Sequence, residues 1–333
     1  MEPQHFADFA QALVDWFTAH GRDYPWRRTT DPWAVLVSEI MLQQTTIPTV
    51  LGRYEAWMQQ FPTPAALAAA DEATALRSWE GLGYYRRVKA LRAAAIAITE
   101  QHNGKFPTDE KSIRALPGIG DYTVGAVLSF AYNTAAPLVD ANVSRVFARV
   151  FNDATPIDSP AGRKKHWQLA AQLVHPTNPR AYNSALMELG QTICTTGVPT
   201  CLLCPVRQFC KAESPAGLPV KLPKKEILQA EHHDIWLLTD AGLLMEKQAD
   251  GKRHEGMYRL PQRSKTKVAD LPLLHTQKYS VTRYKVTRYL HQAPVDTAPQ
   301  GAEIFVPLTQ LHTIPMASPD RKIIDKILAG TSC

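Results

Sequence analysis

The stretch "LPGIGDYTVGAVLSFAY", residues 116–132, joins a short glycine-rich turn to an apolar, helix-forming segment. Pro117, Gly118 and Gly120 place no bulky side chain in the turn, and the next helix begins with backbone N–H groups that have no partner within it. A phosphate group can bind such a turn without a cationic side chain. A single turn of this kind usually only connects two helices, so its meaning depends on the surrounding sequence.

The composition is that of an ordinary globular protein with a modest excess of positive charge. Of 333 residues, 45% are hydrophobic and 20% are charged, and the formal net charge is +6. This length exceeds one compact core, so we expect two or three domains. The charge favours an anionic partner only weakly. The sequence contains neither a secretory signal nor an apolar run long enough for a membrane span, which predicts a cytoplasmic protein without a membrane partner.

The chain divides into a helical part and a strand-rich part. Residues 1–210 contain alanine-rich stretches and apolar residues at helical spacing. Residues 211–230, which include "KAESPAGLPVKLPKKE", predict an exposed, extended linker. Residues 231–333 contain short segments rich in β-branched and aromatic residues between turn formers, followed by a last helix, which together predict an α+β domain.

Four of the five cysteines are closely spaced, as Cys194-x6-Cys201-x2-Cys204-x5-Cys210. Disulfides are rare in a reducing cytoplasm, so buried thiols and a zinc site are the simplest alternatives. Four cysteines within 17 residues are too many for scattered core positions, and a zinc ribbon favours two CxxC pairs separated by a longer span. An all-cysteine loop with uneven spacing suits a [4Fe-4S] cluster. Cys333 lies outside the pattern and receives no role.

Two acids stand out against apolar surroundings. Glu39 interrupts "VLVSEIMLQQTTIPTV", residues 35–50, and Asp140 precedes a predicted helix in "LVDANVSRVFAR", residues 138–149. A buried Glu commonly has a hydrogen-bonded structural role, but apolar surroundings also raise its pKa, so that it holds a proton at neutral pH. An Asp before a helix is usually an N-cap, a position that also keeps it fixed and ionised.

Taken together, these motifs resemble a known superfamily. The cysteine spacing and the turn at 116–120 resemble the cluster loop and the hairpin of the endonuclease III superfamily of DNA glycosylases, the helix-hairpin-helix family. Within it, "YPWRRTTDPWAVLVSEIMLQQT" (24–45) and "WEGLGYYRRVKAL" (79–91) resemble the MutY-type adenine DNA glycosylases. The likeness extends over nearly the whole chain.

The resemblance implies a mainly α helix-hairpin-helix glycosylase core with a [4Fe-4S] loop, followed by a C-terminal α+β domain that is Nudix-like. The ranges it implies are a six-helix barrel at about 23–130 with the hairpin at 116–131, a cluster lobe from 1–22 and 131–210, and a mismatch-recognition domain at 231–333.

The resemblance also implies base excision repair, by hydrolysis of the N-glycosidic bond of adenine paired with 8-oxoguanine or guanine. Glu39 is then the general acid that delivers a proton to N7 of adenine, and Asp140 is the carboxylate that faces an oxocarbenium-like sugar. Asn142 and Tyr122 match positions that orient and support this site. Endonuclease III-like lyases carry a lysine where this chain has Tyr122, so we expect a monofunctional enzyme that leaves the abasic strand intact.

The implied partner is double-stranded DNA with A:8-oxoG or A:G mispairs, bound by a monomer in a bacterial, nucleoid-associated cytoplasm. Gln44 and Tyr84 match intercalating residues that fill the space of the extruded base, and Trp26 and Arg27 match a wall of the adenine pocket. Ser184 stands where family members usually carry Gln or Glu. The remaining candidate contacts are Thr45, Leu82, Gly118 and Gly120, with Arg86, Arg87, Lys89 and Arg92 suited to phosphates or to a solvated helix face.

MutY-type enzymes typically carry a Phe-Ser-His-like tip on a C-terminal hairpin, which probes 8-oxoguanine. The corresponding stretch, "HTQKYSVTRYKVTRYL" (275–290), has no such triplet. Two alignments remain open, one with Ser280 at the centre and one starting at Thr282. Ser280 or Thr282 then supplies a hydroxyl and Arg283 a polar contact. The strand pattern changes phase after Val281, which predicts a bulge or a loop tip.

Two other functions share some of these features. A mismatch thymine glycosylase has the Glu, the Asp and the cluster, but such enzymes typically end after the cluster. A non-catalytic helix-hairpin-helix DNA-binding protein keeps the hairpin, and the presence of both Glu39 and Asp140 argues against it.

Overall fold

A computed structural model describes residues 3–223, 226–249, 251 and 254–330. The chain forms two compact units, of which the first contains residues 1–68 and 93–223 and the second contains residues 69–92 and 224–333. Cys333 lies outside the described residues. Among the helices of the described residues, none is long and apolar enough to cross a membrane.

The helices dominate the first two thirds of the chain, as the sequence predicts. In chain order they are α1 (Pro3–His20), α2 (Pro32–Leu42), α3 (Ile47–Gln60), α4 (Pro64–Ala69), α5 (Glu72–Ser78), α6 (Arg86–Gln101), α7 (Glu110–Ala115), α8 (Asp121–Phe130), α9 (Ala141–Val150), α10 (Pro160–Leu173), α11 (Pro179–Thr192) and α12 (Ser318–Gly330).

Local sequence explains where the helices of the site begin. Asp31 caps α2 by accepting hydrogen bonds from the N–H groups of Trp33 and Ala34, and Pro32 is its first residue. Gly120 precedes α8 in an extended conformation. Asp140 caps α9 through the N–H of Val143. These helix starts concern residues that the sequence predicts to be functional: α2 carries Glu39, α8 carries Tyr122, and Asp140 is itself the cap of α9.

One hydrophobic core of the first unit lies where α1, α8, α9, α10 and α11 contribute apolar side chains. Phe9, Leu13, Phe147 and Leu189 are fully buried in it. Gly125 of α8 lies against this packing, because a Cβ there would approach the carbonyl oxygen of Pro137 to 2.0 Å. Only glycine allows so close an approach.

The second unit contains the strands β1 (Leu228–Trp236), β2 (Leu238–Thr239), β3 (Gly242–Lys247), β4 (Tyr258–Arg259), β5 (Gln262–Arg263), β6 (Leu273–Val281), β7 (Tyr284–Gln292) and β8 (Glu303–Val306). One sheet has the order β5-β1-β7-β6, with β1 and β7 parallel. The other has the order β2-β3-β4, with β8 paired to β3. Together with α12, these strands form the predicted C-terminal α+β domain.

A two-residue turn connects β6 to β7. Val281 pairs with Tyr284, so Thr282 and Arg283 form the loop tip that the change of phase predicts. The irregularity in the β6–β7 register lies at the other end of β6, between Leu273 and His275. Ser280 pairs with Lys285 inside the ladder and is therefore not at the tip.

The segment predicted as a linker is divided between structured regions. The carbonyl of Leu218 accepts a hydrogen bond from Arg149, and that of Val220 accepts one from the N–H of Ile157, so this part of the segment belongs to the first unit. Strand β1 begins at Leu228, before the predicted end of the linker, because its first half pairs with β7.

Candidate active site

Glu39 is a buried acid in an otherwise apolar helix. Its side chain belongs to α2, and the residue is 4% exposed. Burial raises the pKa of Glu39 to about 7, and the charge of Asp140 acts in the same direction. A hydrogen bond from Tyr122 and the charge of Arg27 oppose this shift. Glu39 is therefore divided between its protonated and ionised forms near neutral pH.

Tyr122 contacts Glu39 directly. Its hydroxyl donates a hydrogen bond of 2.7 Å to Oε2 of Glu39 and lies 3.8 Å from the sulfur of Met187. Burial, followed by the nearby charges of Glu39 and Asp140, raises the pKa of Tyr122 well above its usual value. The tyrosine is therefore a neutral donor at physiological pH, and it brings the hairpin helix α8 to the acid of α2.

Asp140 is held by two hydrogen bonds. Its Oδ1 accepts from the N–H of Val143 at 2.7 Å, and its Oδ2 accepts from Nδ2 of Asn142 at 2.7 Å. Burial raises the pKa of Asp140, while these bonds and the charge of Arg145 act against the rise. The aspartate is thus an N-cap, and its net pKa shift is upward because the site is poorly solvated.

Arg145, which the sequence did not single out, supports Asn142. One guanidinium nitrogen donates to Oδ1 of Asn142 at 2.9 Å and to the carbonyl of Gly190 at 2.6 Å, and Nε donates to the carbonyl of Cys194 at 2.7 Å. Arg145 is 6% exposed. The one available signal in the sequence is the presence of two arginines, Arg145 and Arg149, among the apolar residues of "VSRVFARV".

Arg27, which follows Trp26 in the chain, contacts a second residue that the sequence did not single out, Glu188. Trp26 is buried and stacks on Tyr24 with ring centroids 5.1 Å apart. Arg27 forms an ion pair with Glu188, which is 1% exposed and also binds Arg22 at 2.7 Å. Glu188 lies one helical turn after the buried Ser184, so the two share a face of α11.

The hairpin turn presents backbone rather than side chains. Gly118 has a φ of +75°, a conformation that favours glycine. A Cβ at Gly120 would meet no atom within 4 Å, so folding does not require this glycine. Because Gly120 has no side chain, a phosphate group can closely approach the backbone N–H groups at the start of α8.

Three candidate DNA contacts have strained backbones. Gln44, Tyr84 and Thr282 have φ values of +57°, +47° and +52°, and every other non-glycine residue with positive φ in the described parts of the chain is an asparagine. Such a conformation is unfavourable, above all for a β-branched residue, and is concentrated at functional sites in proteins. Gln44, Tyr84 and Thr282 are exposed.

Other candidates make contacts within the protein. Thr45 is half-buried and Leu82 is 4% exposed, so Leu82 faces the protein interior. Arg87 donates to the carbonyls of Leu82 and Gly83, at 2.9 and 3.2 Å. Lys89 pairs with Glu72 and Glu255, and Arg92 donates to the carbonyl of Ala70. Arg283 lies over the ring of Tyr284 at 5.6 Å.

The four spaced cysteines line one cavity. Its volume is about 270 Å³, and Cys194, Cys201, Cys204 and Cys210 all contribute to its wall. The thiols are free of disulfides. The fully buried Arg149 donates to Sγ of Cys194 at 3.3 Å and to the carbonyls of Thr195 and Gly197. Burial raises the pKa of the Cys204 and Cys210 thiols, and four sulfur donors around one cavity fit a sulfur-ligated group.

Comparisons with known proteins agree with this geometry. The profile described as "HhH-GPD superfamily base excision DNA repair protein" matches residues 37–171. The adenine DNA glycosylase of Mycobacterium tuberculosis (strain CDC 1551 / Oshkosh) is 42% identical over 205 residues, which cover 61% of this chain and 67% of that protein. This chain belongs to the adenine DNA glycosylases. It is therefore a DNA glycosylase, a hydrolase of N-glycosidic bonds.

Two further members of the adenine DNA glycosylase family show how far the likeness extends. The human enzyme is 41% identical over 213 residues, covering 61% of this chain and 39% of its own length. The Buchnera aphidicola enzyme (subsp. Schizaphis graminum) is 29% identical over 290 residues, covering 85% of this chain and 83% of its own length. That alignment is too long to end within the helical part.

Solved structures support the fold of the helical part. A thermostable thymine-DNA glycosylase superimposes with a TM-score of 0.58 at 28% identity, covering 62% of this chain and 96% of its own. A non-covalent endonuclease III–DNA complex gives 0.53 at 20% identity, covering 63% of this chain and 96% of its own. The second likeness shows the fold alone.

Proposed function

We propose that this glycosylase excises adenine paired with 8-oxoguanine or guanine and leaves the abasic strand intact. The observation that carries the proposal is the buried carboxyl of Glu39, which holds a proton near neutral pH beside a second, hydrogen-bonded carboxyl. Adenine is a poor leaving group unless its ring is protonated. A buried acid with a pKa of about 7 is suited to that proton transfer.

The two carboxyls differ in the number of hydrogen bonds that they accept, and this difference decides which of them carries the proton. Asp140 accepts hydrogen bonds from Val143 and Asn142 and is stabilised by the charge of Arg145, whereas Glu39 accepts one from Tyr122. Bonds of this kind favour the ionised form, so the charge resides on Asp140 and the proton on Glu39. This is the arrangement in which one acid donates and the other faces a cation.

The reaction then follows from the two protonation states. Glu39 transfers its proton to N7 of adenine, and the C1′–N9 bond breaks with its electron pair leaving on the base. The carboxylate of Asp140 stabilises the oxocarbenium-like sugar. Water adds to C1′ and loses its proton to Glu39, which restores the starting state. Tyr122 has no amine, so no Schiff base forms and the enzyme is monofunctional.

The cysteine cavity supports a [4Fe-4S] cluster held by Cys194, Cys201, Cys204 and Cys210. Among the described residues, no set of three or more His, Cys, Asp or Glu side chains is arranged around a single metal ion. Four thiols around a cavity suit a cluster better than one zinc ion, whose ligand sulfurs lie about 2.3 Å from the metal. The cluster supplies no step of base excision, and its loop reaches the site through the Arg145 contacts.

The C-terminal unit is proposed to be a Nudix-like domain that recognises the base opposite adenine. The β6–β7 turn places Thr282 and Arg283 at an exposed tip, which supports the second of the two alignments. Thr282 offers a hydroxyl in the position of a polar reader, and Arg283 offers a cation. The hydroxyl of Thr282 donates to the carbonyl of Val281 at 2.7 Å, which leaves its oxygen to accept a hydrogen bond from a base.

A panel of labelled duplexes tests the proposed substrate. Under single turnover, the enzyme should release adenine from A:8-oxoG and A:G duplexes, with little release from A:C and none of thymine from G:T. Thymine release from G:T would instead support the function of a mismatch thymine glycosylase.

A further inference from the structure

The segment 79–85, which carries Tyr84, packs with the C-terminal residues. Residues 69–92 and 224–333 belong to one compact unit, although 69–92 lies within the helical part of the sequence. We call residues 81–84, "GLGY", the wedge loop, because Tyr84 matches an intercalating residue. The contacts within this unit show how the loop is held.

The wedge loop has an unusual backbone that its own sequence only partly stabilises. Gly81 and Gly83 have φ values of +91° and +68°, and Tyr84 has one of +47°. Nε1 of the buried Trp79 donates to the carbonyl of Gly83 at 3.0 Å. Glycine tolerates positive φ, whereas tyrosine does so only when its surroundings impose it.

The residues on either side of the loop bind the same C-terminal residue. Glu80, just before the loop, accepts from the N–H of Met316 at 2.9 Å. Tyr85, just after it, donates to the carbonyl of Met316 at 2.9 Å. Met316 is fully buried and Tyr85 is 6% exposed. The residues at both ends of the loop are therefore bonded to the backbone of one buried residue.

Arg321 strengthens this attachment. Its NH2 and Nε groups donate to the two carboxylate oxygens of Glu80, at 3.1 and 3.3 Å. The same guanidinium donates to the carbonyls of Leu311 at 2.7 Å and Ile314 at 2.9 Å. The side chains of Glu80 and Arg321 are each 19% exposed, so water competes little for these charge-assisted bonds.

We propose that the C-terminal domain positions the wedge loop for insertion into DNA, with Glu80, Tyr85 and Arg321 as positioning residues. The proposal rests on the proposed function, in which Tyr84 fills the space beside the extruded adenine. Its consequence is that the domain acts on the excision step as well as on recognition of the opposite base. Loss of the attachment frees Tyr84 to leave its strained conformation, which lowers the fraction of bound enzyme with an extruded base.

Arg321→Met tests the proposal, with Arg259→Met as its matched control. Arg259 pairs with Glu246 at 2.9 Å in the same unit. Amide hydrogen exchange is measured at residues 81–85 in the free protein. In the complex with DNA, the fluorescence of a 2-aminopurine next to the mispair reports how far the bases are unstacked. In Arg321→Met we expect amide exchange about tenfold faster, and single-turnover excision about tenfold slower, than in the wild-type enzyme. Arg259→Met should change neither rate, and the two variants should have the same melting temperature.

Tyr85→Phe provides a second variant, which removes the hydroxyl bond to the carbonyl of Met316 together with the hydrogen bond between the same hydroxyl and Ser318. Its control is Tyr132→Phe, whose hydroxyl donates to the carbonyl of Pro107 at 3.0 Å in the first unit. Equal exchange, fluorescence and excision in each variant and its control would overturn the proposal. If the wild-type enzyme releases no adenine from any duplex while exchange at 81–85 still rises in Arg321→Met, the proposed function fails but the attachment of the loop stands.

Discussion

The hydroxyl of Tyr122 donates a 2.7 Å hydrogen bond to Oε2 of Glu39, which joins the hairpin helix to the buried acid of α2. A neutral hydroxyl that donates to Oε2 favours placing the proton of the Glu39 carboxyl on the other oxygen, Oε1. The pair also explains the expected outcome of the reaction. A phenol at this position orients an acid, whereas an amine would attack the sugar.

Replacement of Tyr122 should change the reaction type. In the wild-type enzyme, borohydride should trap little covalent enzyme–DNA complex, because Tyr122 offers no amine for a Schiff base. Tyr122→Lys should gain measurable trapping on an A:8-oxoG duplex. Trapped complex is quantified on denaturing gels. Strong, site-specific trapping by the wild-type enzyme would show that it is a lyase and that the role given to Tyr122 is wrong.

Glu39→Gln should stabilise the protein at alkaline pH. The folded pKa of Glu39 is raised from 4.5 to about 7, so between these values the unfolded state releases a proton that the folded state retains. The free energy of unfolding of the wild-type protein therefore falls by up to roughly 3 kcal/mol as pH rises from 4.5 to 7. Above pH 7 it levels off. The amide has no such penalty. Denaturant melts at pH 5 and pH 8 measure the difference, and a gap between variant and wild type that does not widen would refute the raised pKa.

The parts of the site that depend on neighbouring residues could be predicted from the sequence. Pro32 begins α2, and Asp140 caps α9, because helix starts follow from a few adjacent residues. The two-residue tip at Thr282 and Arg283 follows from the strand pattern in the same way.

The parts that depend on distant pairing could not be predicted. Arg145 and Glu188 are identified only once α9 and α11 are packed, and Glu80 bonds Arg321 across 241 positions of the chain. The buried position of Leu82 likewise depends on the fold around the wedge loop. The spacing of residues along the sequence gives no information about such contacts.

The cysteine loop should bind iron. Protein purified without oxygen should be brown and contain about four irons per chain, as four thiolate ligands imply. Cys201→Ser should lose iron and lower DNA affinity and folding yield, whereas Cys333→Ser, outside the spaced set, should retain all three properties. Iron is measured by elemental analysis and the cluster by visible absorption. One zinc per chain with no visible absorption would exclude the cluster.

The tip of the β6–β7 hairpin should influence the choice of opposite base. Thr282→Ala removes one hydroxyl contact, so the preference for A:8-oxoG over A:G should fall about fivefold. Thr276→Ala, on exposed β6 away from the tip, should leave the preference unchanged. Arg283→Ala should weaken binding to all duplexes, compared with Lys278→Ala as a charge control. An unchanged preference in Thr282→Ala would show that Thr282 does not read the lesion.

The most direct test of the mechanism is the single-turnover rate of adenine release from an A:8-oxoG duplex as a function of pH. In the wild-type enzyme the rate should fall as pH rises through about 7, because Glu39 loses the proton it must donate. Glu39→Gln should lower the rate by about 100- to 10,000-fold with duplex binding retained. Asp140→Asn should also release little adenine, since it lacks the charge that faces the sugar cation. Near-wild-type release by either variant, or a rate that does not fall above pH 7, would contradict the account.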